Sequence, residues 1–363
     1  MGQHSTLAVR LMRGQLRPAG DFAEATAATL GRNTEELKAA VEAGSSAAAA
    51  ARFRELWVSQ VGALSAYADA VRGRDAAASR SAETSLSGFE RDYAAAITEL
   101  TGGELRPSQV AARAREHIDL LKRQADAYAR SDWATSYQLE REAYRQSFAT
   151  GTQLAGALVS PSPGARPRGF DEPGQQLQST LGLLLGEHME LTVDATRAVV
   201  TGSPEAPSAA RALDSNSREL GRAFAGALGT RTASQIAALW ADHVDAVVAF
   251  AVATQRGDAT AADEARAALK RFAASLGSAL RTVAKGRVQA AAATAALDEH
   301  DEALLDQTRA FAARDYRRAH DVSYDGYQHM FAVAATLRSA VEGNVAARLP
   351  VGGAATGFGP GPR

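Results

Sequence analysis

The sequence contains no cysteine, and its positive and negative charges almost cancel. The first absence excludes disulfides, thiolate metal sites and a cysteine nucleophile. The net charge of −1 gives no electrostatic reason to expect nucleic acid or an anionic membrane surface as a partner. No apolar run approaches the roughly 18–20 residues of a membrane span. Phosphate-binding loops, nucleophile elbows and zinc-protease motifs are also absent, which does not favour an enzyme.

What the sequence does contain is a long internal repeat. A shift of 183 residues places Trp57 on Trp240 and Tyr144 on Tyr327, and no gap is needed between them. Near the start of the chain the shift is 184. A repeat of this length predicts a duplicated domain, because solenoid units are only about 20–50 residues long. Positions that the two copies share then point to the fold, and positions that differ point to a site.

Helix-favouring residues dominate both copies, and no strand-like alternation of apolar and polar residues occurs. The pattern predicts an all-α protein of two tandem, duplicated, antiparallel helical bundles. We expect about six helices in each repeat, with four long ones forming the core. The predicted parts are a first bundle, a Pro/Gly-rich linker, a second bundle and a disordered tail, at residues 1–158, 159–174, 175–348 and 349–363.

The first helix of copy one looks cut short. In copy two, a helical pattern from Gly174 to Glu187 precedes His188, whereas only three residues precede His4 at the matching place. The first bundle is therefore interpreted as an N-terminally truncated and degenerate repeat. A missing leader would explain the difference, so the lack of a signal peptide does not indicate a cytoplasmic protein.

The second copy carries a histidine on the inward apolar stripe of four predicted helices. Each histidine falls near the middle of its helix, and mid-helix positions of an antiparallel bundle share one layer. A further predicted helix has an asparagine on its stripe. The second copy thus places His188, His243, His300, His329 and Asn216 in this layer, where the first copy has His4, Gln60, His117 and Gln146.

Three interpretations of this layer remain open: a ligand-binding cluster, a structural polar layer, and a wrongly assigned helical phase that would take the histidines off the stripe. Imidazoles without partners in a core cost about 1–3 kcal/mol each, so either hydrogen bonds or a ligand must satisfy them. Imidazole without thiolate suits zinc or copper. No Glu-x-x-His pattern lies on a stripe, which disfavours a carboxylate-bridged di-iron site. Haem held by two of the histidines is the alternative cofactor.

Four neighbours are predicted to support the metal, and Asn216 of the layer is one of them. Met189 and Met330 each follow a stripe histidine and favour copper, although a residue at i+1 points away from the stripe and would lie outside the ligand shell. Asp325 lies one helical turn before His329, where a carboxylate could orient the imidazole ring.

Several strings of copy two resemble an uncharacterised group of exported bacterial helical-bundle proteins, some of which carry a copper-amine-oxidase-like label. These strings are GEHMELTVDATRAVV, LDSNSREL, LWADHVD and GYQHMF, and they include Glu187, His188, Met189, Leu239, Trp240, His243, His329 and Met330, together with His300. The resemblance implies an exported bacterial setting and no activity. Copy one departs from it at Gln60 and Gln146.

The sequence therefore predicts a non-enzymatic protein that binds copper or zinc in its second repeat, for storage, sequestration or sensing. The alternative is a structural or partner-binding module with a buried His/Asn layer, and a haem-binding bundle is a further one. The expected partners are a metal ion and, on the alternative interpretation, another protein, without nucleic acid or a membrane span. We expect an extracytoplasmic location, with the cytoplasm left open.

Overall fold

The computed structural model of the protein describes residues 1–159, 173–285 and 289–345. The prediction of an all-α fold is confirmed, and these residues contain no strand. Most of the predicted linker and all of the predicted tail lie outside the described residues. The first half, residues 1–159, contains α1 (Gly2–Leu16), α2 (Phe22–Ala43), α3 (Ala47–Gly73), α4 (Ala76–Leu100), α5 (Pro107–Ala129) and α6 (Trp133–Val159).

The second half, residues 173–345, contains six more helices with closely matching boundaries. The starts of α3 and α9, of α4 and α10, and of α5 and α11 are each 183 residues apart, which is the spacing of the sequence repeat. The origin of this repeat by duplication stays a prediction. The six helices are α7 (Pro173–Val200), α8 (Ala206–Leu228), α9 (Thr230–Arg256), α10 (Ala259–Val283), α11 (Ala290–Ala312) and α12 (Tyr316–Val345).

Matching caps explain some of the matching boundaries. Asp75 accepts hydrogen bonds from the backbone N–H groups of the first turn of α4, and Asp258 does the same for α10. A left-handed residue ends the preceding helix in each half, Arg74 with φ 53° and Gly257 with φ 68°. An aspartate cap after a left-handed turn stops one helix and starts the next.

The two halves pack against each other along α1 and α7. Every residue of α1 from Gly2 to Gly14 is buried. On either side of α1 and α7, α2 packs against α12 and α6 against α8. Phe22 and Tyr144 of the first half belong to the main apolar cluster of the second half. The predicted bundles are therefore joined by packing as well as by the connecting segment.

Corresponding residues of the two halves meet at this interface. The hydroxyl oxygens of Tyr144 and Tyr327 lie 3.2 Å apart. The rings of Phe148 and Phe331 are stacked, with centroids 6.4 Å apart and an angle of 8° between their planes. Contacts between equivalent residues are expected where an approximate two-fold axis passes between two similar bodies.

A buried network of charges lies at the same interface. Arg10 of α1 donates from Nε to Oδ1 of Asp194 at 2.9 Å, and its Nη1 lies 2.6 Å from Oε2 of Glu190. Arg13 donates to Oδ2 of Asp194 at 3.0 Å and to Oε2 of Glu140 at 2.8 Å. These side chains are at most 4% exposed. Removing one member of such a network leaves a buried charge without its partner.

Helix α9 meets the length and composition of a membrane span, with 44% of its most apolar window buried in the fold. Trp240 and His243 lie on the buried face of this helix. Its apolar residues therefore contribute to the protein core, as expected of a long central helix in a bundle.

Candidate metal centre

Three helices of the second half turn their apolar stripes toward one point. On α9, Trp240, His243 and Val247 follow one another at helical spacing, and all three are buried. On α11, Leu297, His300 and Leu304 do the same. On α7, His188 lies between the buried Leu184 and Leu191. The leucines and valine bury these faces, and the histidines are carried into the core with them. 

The rings of His188, His243 and His300 form a compact triad. One nitrogen from each ring lies within 4.8 Å of the others, and the three side chains are 0–1% exposed. Nε2 of His188 lies 3.4 Å from Nε2 of His243. Tetrahedral zinc with Zn–N bonds of about 2.0–2.1 Å places its nitrogens roughly 3.3–3.4 Å apart. One pair therefore already has the spacing of metal ligands, and a small approach of the third ring would complete the set.

The triad contains nitrogens without hydrogen-bond partners. Within the described residues, Nδ1 of His188 and both ring nitrogens of His300 are buried and unpaired. Burial lowers the pKa of His188 and of His300 well below the usual value, and His243 adds to the effect on both. These two rings are therefore neutral, and each neutral imidazole has one nitrogen lone pair available for a ligand bond.

Asp301 is a member of the site that the sequence analysis missed. Its Oδ1 lies 3.1 Å from Nδ1 of His243, and the residue is 3% exposed. Burial raises the pKa of Asp301, and nearby His243 opposes that shift. A carboxylate at Nδ1 favours a proton there and leaves the lone pair on Nε2, which faces His188. The first copy has Ile118 at the matching position, and this apolar-to-acidic difference was the signal that could have revealed the site.

Aromatic rings surround the triad. Trp240 places its ring edge-on to His188, with centroids 4.8 Å apart, and Phe272 stacks on His243 at 4.5 Å. The hydroxyl of Thr192 donates to the backbone carbonyl of His188 at 2.7 Å. In such apolar surroundings electrostatic interactions are stronger than in water, and an unsatisfied polar group is correspondingly costly.

His329 lies outside the triad. Its Nε2 donates to the carbonyl oxygen of Ala296 at 2.8 Å, one turn before His300 on α11. Its Nδ1 lies 3.7 Å from Oε1 of Glu299, which is largely exposed. The structure thus brings together three of the four predicted histidines, while the fourth caps a neighbouring carbonyl at the edge of the layer.

The predicted supporting residues lie around α7 and α12. Asn216 donates to the carbonyl oxygen of Leu184 at 2.9 Å and to Oε2 of Glu187 at 2.8 Å. Asp325 forms an exposed ion pair with Arg32 at 2.8 Å, so it is not placed to orient His329. Met189 and Met330 are fully buried in the main apolar cluster.

Glu187, which precedes the first triad histidine, is buried rather than solvated. Arg141 and Arg145 both donate to its carboxylate, at distances from 2.7 to 3.2 Å. Burial alone would raise the pKa of Glu187, but Arg145 and Arg141 outweigh burial and hold the pKa below its usual value. This carboxylate therefore joins α6 to α7 and to Asn216 of α8.

The first half has a related layer without a histidine triad. Nε2 of His4 lies 3.1 Å from Oε1 of Gln60, and Trp57 stacks on His4 with centroids 4.9 Å apart. Nδ1 of His117 lies 3.0 Å from the hydroxyl oxygen of Ser147. Gln146, which corresponds to His329, donates to the carbonyl oxygen of Arg113 at 2.8 Å.

Comparison of the chain with protein-family models, with curated proteins and with solved structures gives no match in any of the three. The candidate site is therefore argued from its own geometry.

Proposed function

We propose that this protein is a non-enzymatic metal-binding protein that holds one copper or zinc ion on His188, His243 and His300. The observation that carries the proposal is the convergence of three buried imidazoles with unpaired ring nitrogens. Each unpaired buried polar group costs about 1–3 kcal/mol. Ligand bonds to a metal ion would offset that cost, and they use the same lone pairs.

The charge of the site also supports a cation. Two of the three rings are kept neutral by burial, so they add no positive charge of their own to repel an ion. Asp301 is the carboxylate that touches the triad, and it would balance part of the charge of a bound metal. A carboxylate behind a ligating histidine is the usual arrangement in zinc proteins.

The burial of the triad favours storage, sequestration or sensing over catalysis. A catalytic zinc site keeps one position open to water and substrate. Here the three ligand side chains are 0–1% exposed, and aromatic rings cover two of them. The same close packing disfavours haem, because Trp240 and Phe272 lie 4.8 and 4.5 Å from the rings of His188 and His243 and occupy space that a porphyrin would need. An exported bacterial setting remains part of the proposal on the resemblance alone.

The test is elemental analysis and metal titration of the full chain without an affinity tag. We expect one copper or zinc ion per chain, with the ion lost in His300→Leu and kept in His117→Leu. The second variant is the matched control, because His117 occupies the corresponding position in the first half. Binding should also raise the melting temperature of the parent by the linkage relation, RT ln(1 + [L]/Kd) in free energy. A parent that takes up neither metal after reconstitution would refute the proposal.

A structural polar layer is the second candidate, and the first half supports it. There a His–Gln pair and a His–Ser pair fill the layer without three converging imidazoles. If the triad is only structural, adding copper or zinc should leave the denaturant midpoint of the parent unchanged, and His300→Leu should respond to metal no differently. If the triad is a metal site, the metal-free variant should be as stable as the metal-free parent or more so, since an apolar side chain replaces an unpaired ring.

A further inference from the structure

A cleft of about 420 Å³ lies between the two halves, where α6 faces α8. Pockets for small molecules measure roughly 300–1,000 Å³, so the cleft has room for one. Most of its lining is polar, and three of the lining residues are arginines, namely Arg141, Arg145 and Arg211.

The internal repeat provides a matched contact for comparison, because α2 packs against α12 as α8 packs against α6. By the offset of 183, the three arginines fall on uncharged residues, which are Tyr324, Gln328 and Ala28. The contact between these two helices therefore forms without arginines at those positions. The arginines of the cleft are a difference between the repeats that helix packing does not require.

The same comparison explains why the cleft is open. At the matching contact, Arg32 of α2 lies over the ring of Tyr324, with Cζ 4.3 Å from the ring centroid. It also pairs with Asp325 of α12 at 2.8 Å, so its side chain bridges the two helices. Ser215 lines the cleft at the position that corresponds to Arg32. A serine side chain is too short to bridge α8 and α6 in this way.

Two of the arginines are held in fixed orientations by carboxylates. Arg141 and Arg145 each donate from Nε and Nη2 to Glu187, and each Nη2 also donates to Glu219. A guanidinium has five N–H groups, so Nη1 of each arginine remains for another acceptor. Because both guanidiniums are oriented in advance, a ligand would need to order little of the site on binding.

Arg211 supplies the unbalanced positive charge of the cleft. Its Nη2 donates to Oγ of Ser208 at 2.8 Å, and it has no carboxylate partner among the described residues. The other two arginines are balanced by the carboxylates that they bind. Glu142 is the acidic residue of the lining, and it accepts a hydrogen bond from Gln138 at 2.9 Å. Arg211 therefore attracts an anion, and Glu142 opposes it.

The acidic side chains that lie outside the described residues are too far away to fill the cleft. They are Asp171 and Glu172, directly before α7 begins at Pro173. Glu187, which binds the cleft arginines, lies 14 residues further along α7, or about 21 Å at the helical rise per residue. Two extended residues span only about 7 Å.

We propose that this cleft binds a small molecule through an oxyanion, a carboxylate or phosphate group. Arg211 pairs with its charge, and Nη1 of Arg141 and of Arg145 donate to its oxygens. Arginine suits such a ligand because the planar guanidinium matches the oxygen geometry of carboxylate and phosphate. The inference does not depend on the metal proposal, because no triad residue lines the cleft.

The test is isothermal titration calorimetry of the full chain, stripped of metal with a chelator and dialysed into buffer of low ionic strength. Inorganic phosphate and succinate are the two probes, and they distinguish a phosphate from a carboxylate ligand. We expect at least one to bind at one site per chain with Kd below about 1 mM, since hydrogen bonds from arginine to an anion are charge-assisted. Added salt should weaken binding, because the cleft is open to solvent.

The matched variants are Arg211→Gln and Arg222→Gln. Both arginines are exposed on α8, but only Arg211 lines the cleft. We expect Arg211→Gln to weaken binding at least about tenfold, because it removes the unbalanced charge. Arg222→Gln should leave binding unchanged, and circular dichroism shows whether both variants fold.

Two further variants test the shape and the charge of the cleft. Ser215→Leu places a larger uncharged side chain in the cleft and should abolish binding, whereas Ala210→Leu, on an exposed part of α8 outside the lining, should not. Glu142→Gln removes the opposing charge and should tighten binding at least about twofold. The proposal is overturned if the parent binds neither probe, if Arg211→Gln binds as Arg222→Gln does, or if folded Ser215→Leu binds as the parent does.

Discussion

The two halves hold their central polar layers with matching contacts, although the side chains differ. Gln60 faces His4 where His243 faces His188. Gln146 binds the carbonyl of Arg113, and His329 binds the carbonyl of Ala296, both at 2.8 Å. Glutamine therefore fills two histidine positions and keeps one contact at each, to His4 and to a backbone carbonyl. The histidine at position 243 is not required by the fold of the layer.

The largest chemical difference between the layers is a buried carboxylate. Asp301 of the second half corresponds to Ile118 of the first half, and the two side chains are 3% and 2% exposed. An apolar residue is the less costly occupant of a dry position, and a carboxylate there needs a compensating partner. Burying the Asp301 carboxylate thus destabilises the second half, and the first half has no such residue. This difference supports a ligand function for the second half alone.

The largest expected effect comes from breaking the contact between the halves. Arg10→Leu would leave the carboxylates of Asp194 and Glu190 in the interface without their main partner, and we expect a loss of about 3–5 kcal/mol in unfolding free energy. Denaturant melts of the full chain measure it. The double variant Arg10→Leu/Asp194→Leu should recover part of the loss. An unchanged midpoint in the single variant would show that the network does not join the halves.

Replacing His243 by glutamine, the residue at the matching position of the first half, should weaken metal binding. We expect His243→Gln to lower metal affinity more than about 100-fold, since loss of residues behind the ligands already costs about 10–100-fold. The fold should be kept, because Gln60 occupies the same place in the first half. Equilibrium competition with a chelator of known affinity checks the prediction, and a loss below tenfold would contradict His243 as a ligand.

The converse exchange should create a second site. Gln60→His combined with Ile118→Asp gives the first half the donors of the second half, with His4 and His117 already in place. We expect the stoichiometry in elemental analysis to rise from one ion to two, the new site being the weaker. A stoichiometry that stays at one in a folded variant would show that other features of the second half are needed.

Removing the Asp301 carboxylate should change metal affinity and unfolding free energy in opposite directions. Asp301→Ile copies the first half, so metal affinity should fall about 10–100-fold while the metal-free protein gains about 1–3 kcal/mol of stability. Metal competition and denaturant melts in chelator measure the two effects. If the metal-free variant is instead less stable than the parent, Asp301 has a structural role. The difference from Ile118 would then not support a metal site.

The last effect is graded with pH and concerns Glu140, whose counterpart in the second half is Ser323. Burial raises the pKa of Glu140 to about 8, with Asp194 adding to the shift and Arg13 opposing it. The folded protein then holds a proton that the unfolded chain releases above its usual pKa of 4.5. The contribution of this proton to stability is fully present below pH 4.5 and is lost as pH rises toward 8.

Glu140→Gln should flatten this part of the stability profile, because the amide stays neutral at every pH. Denaturant melts between pH 5 and pH 8.5 compare the two proteins, with Glu142→Gln as the exposed control on the same helix. If the unfolding free energies of the parent and of Glu140→Gln change with pH in the same way, another group binds the proton.

The repeat and the helical periodicity were enough to predict the all-α fold and to bring His188, His243 and His300 to one layer. His329 shares the helical spacing of the other three, but the sequence could not show that its ring would bind the carbonyl of Ala296. Asp301 follows a stripe histidine at i+1, a position that the periodicity of a single helix places off the stripe. Its contact with His243 depends on how closely α9 and α11 pack, which helical spacing does not determine.

The interface between the halves was not predicted either. Arg10 and Asp194 look like ordinary surface charges in a helical pattern, since charged residues are seldom fully buried. Their burial follows from the central position of α1 and α7 among the twelve helices of the described part of the chain. Tyr324 and Tyr327, which lie about one helical turn apart on α12, were a partial signal, because both aromatic side chains are buried.

The pairing of Arg10 with Asp194 also determines which halves can associate. These residues occupy corresponding positions, 184 apart, and carry opposite charges. A symmetric assembly of two first halves would place arginine against arginine in a dry interface, and two second halves would place aspartate against aspartate. Like charges at a buried contact reject the wrong partner. The two halves are thus complementary at this contact and not interchangeable, because each supplies the charge that pairs with the other.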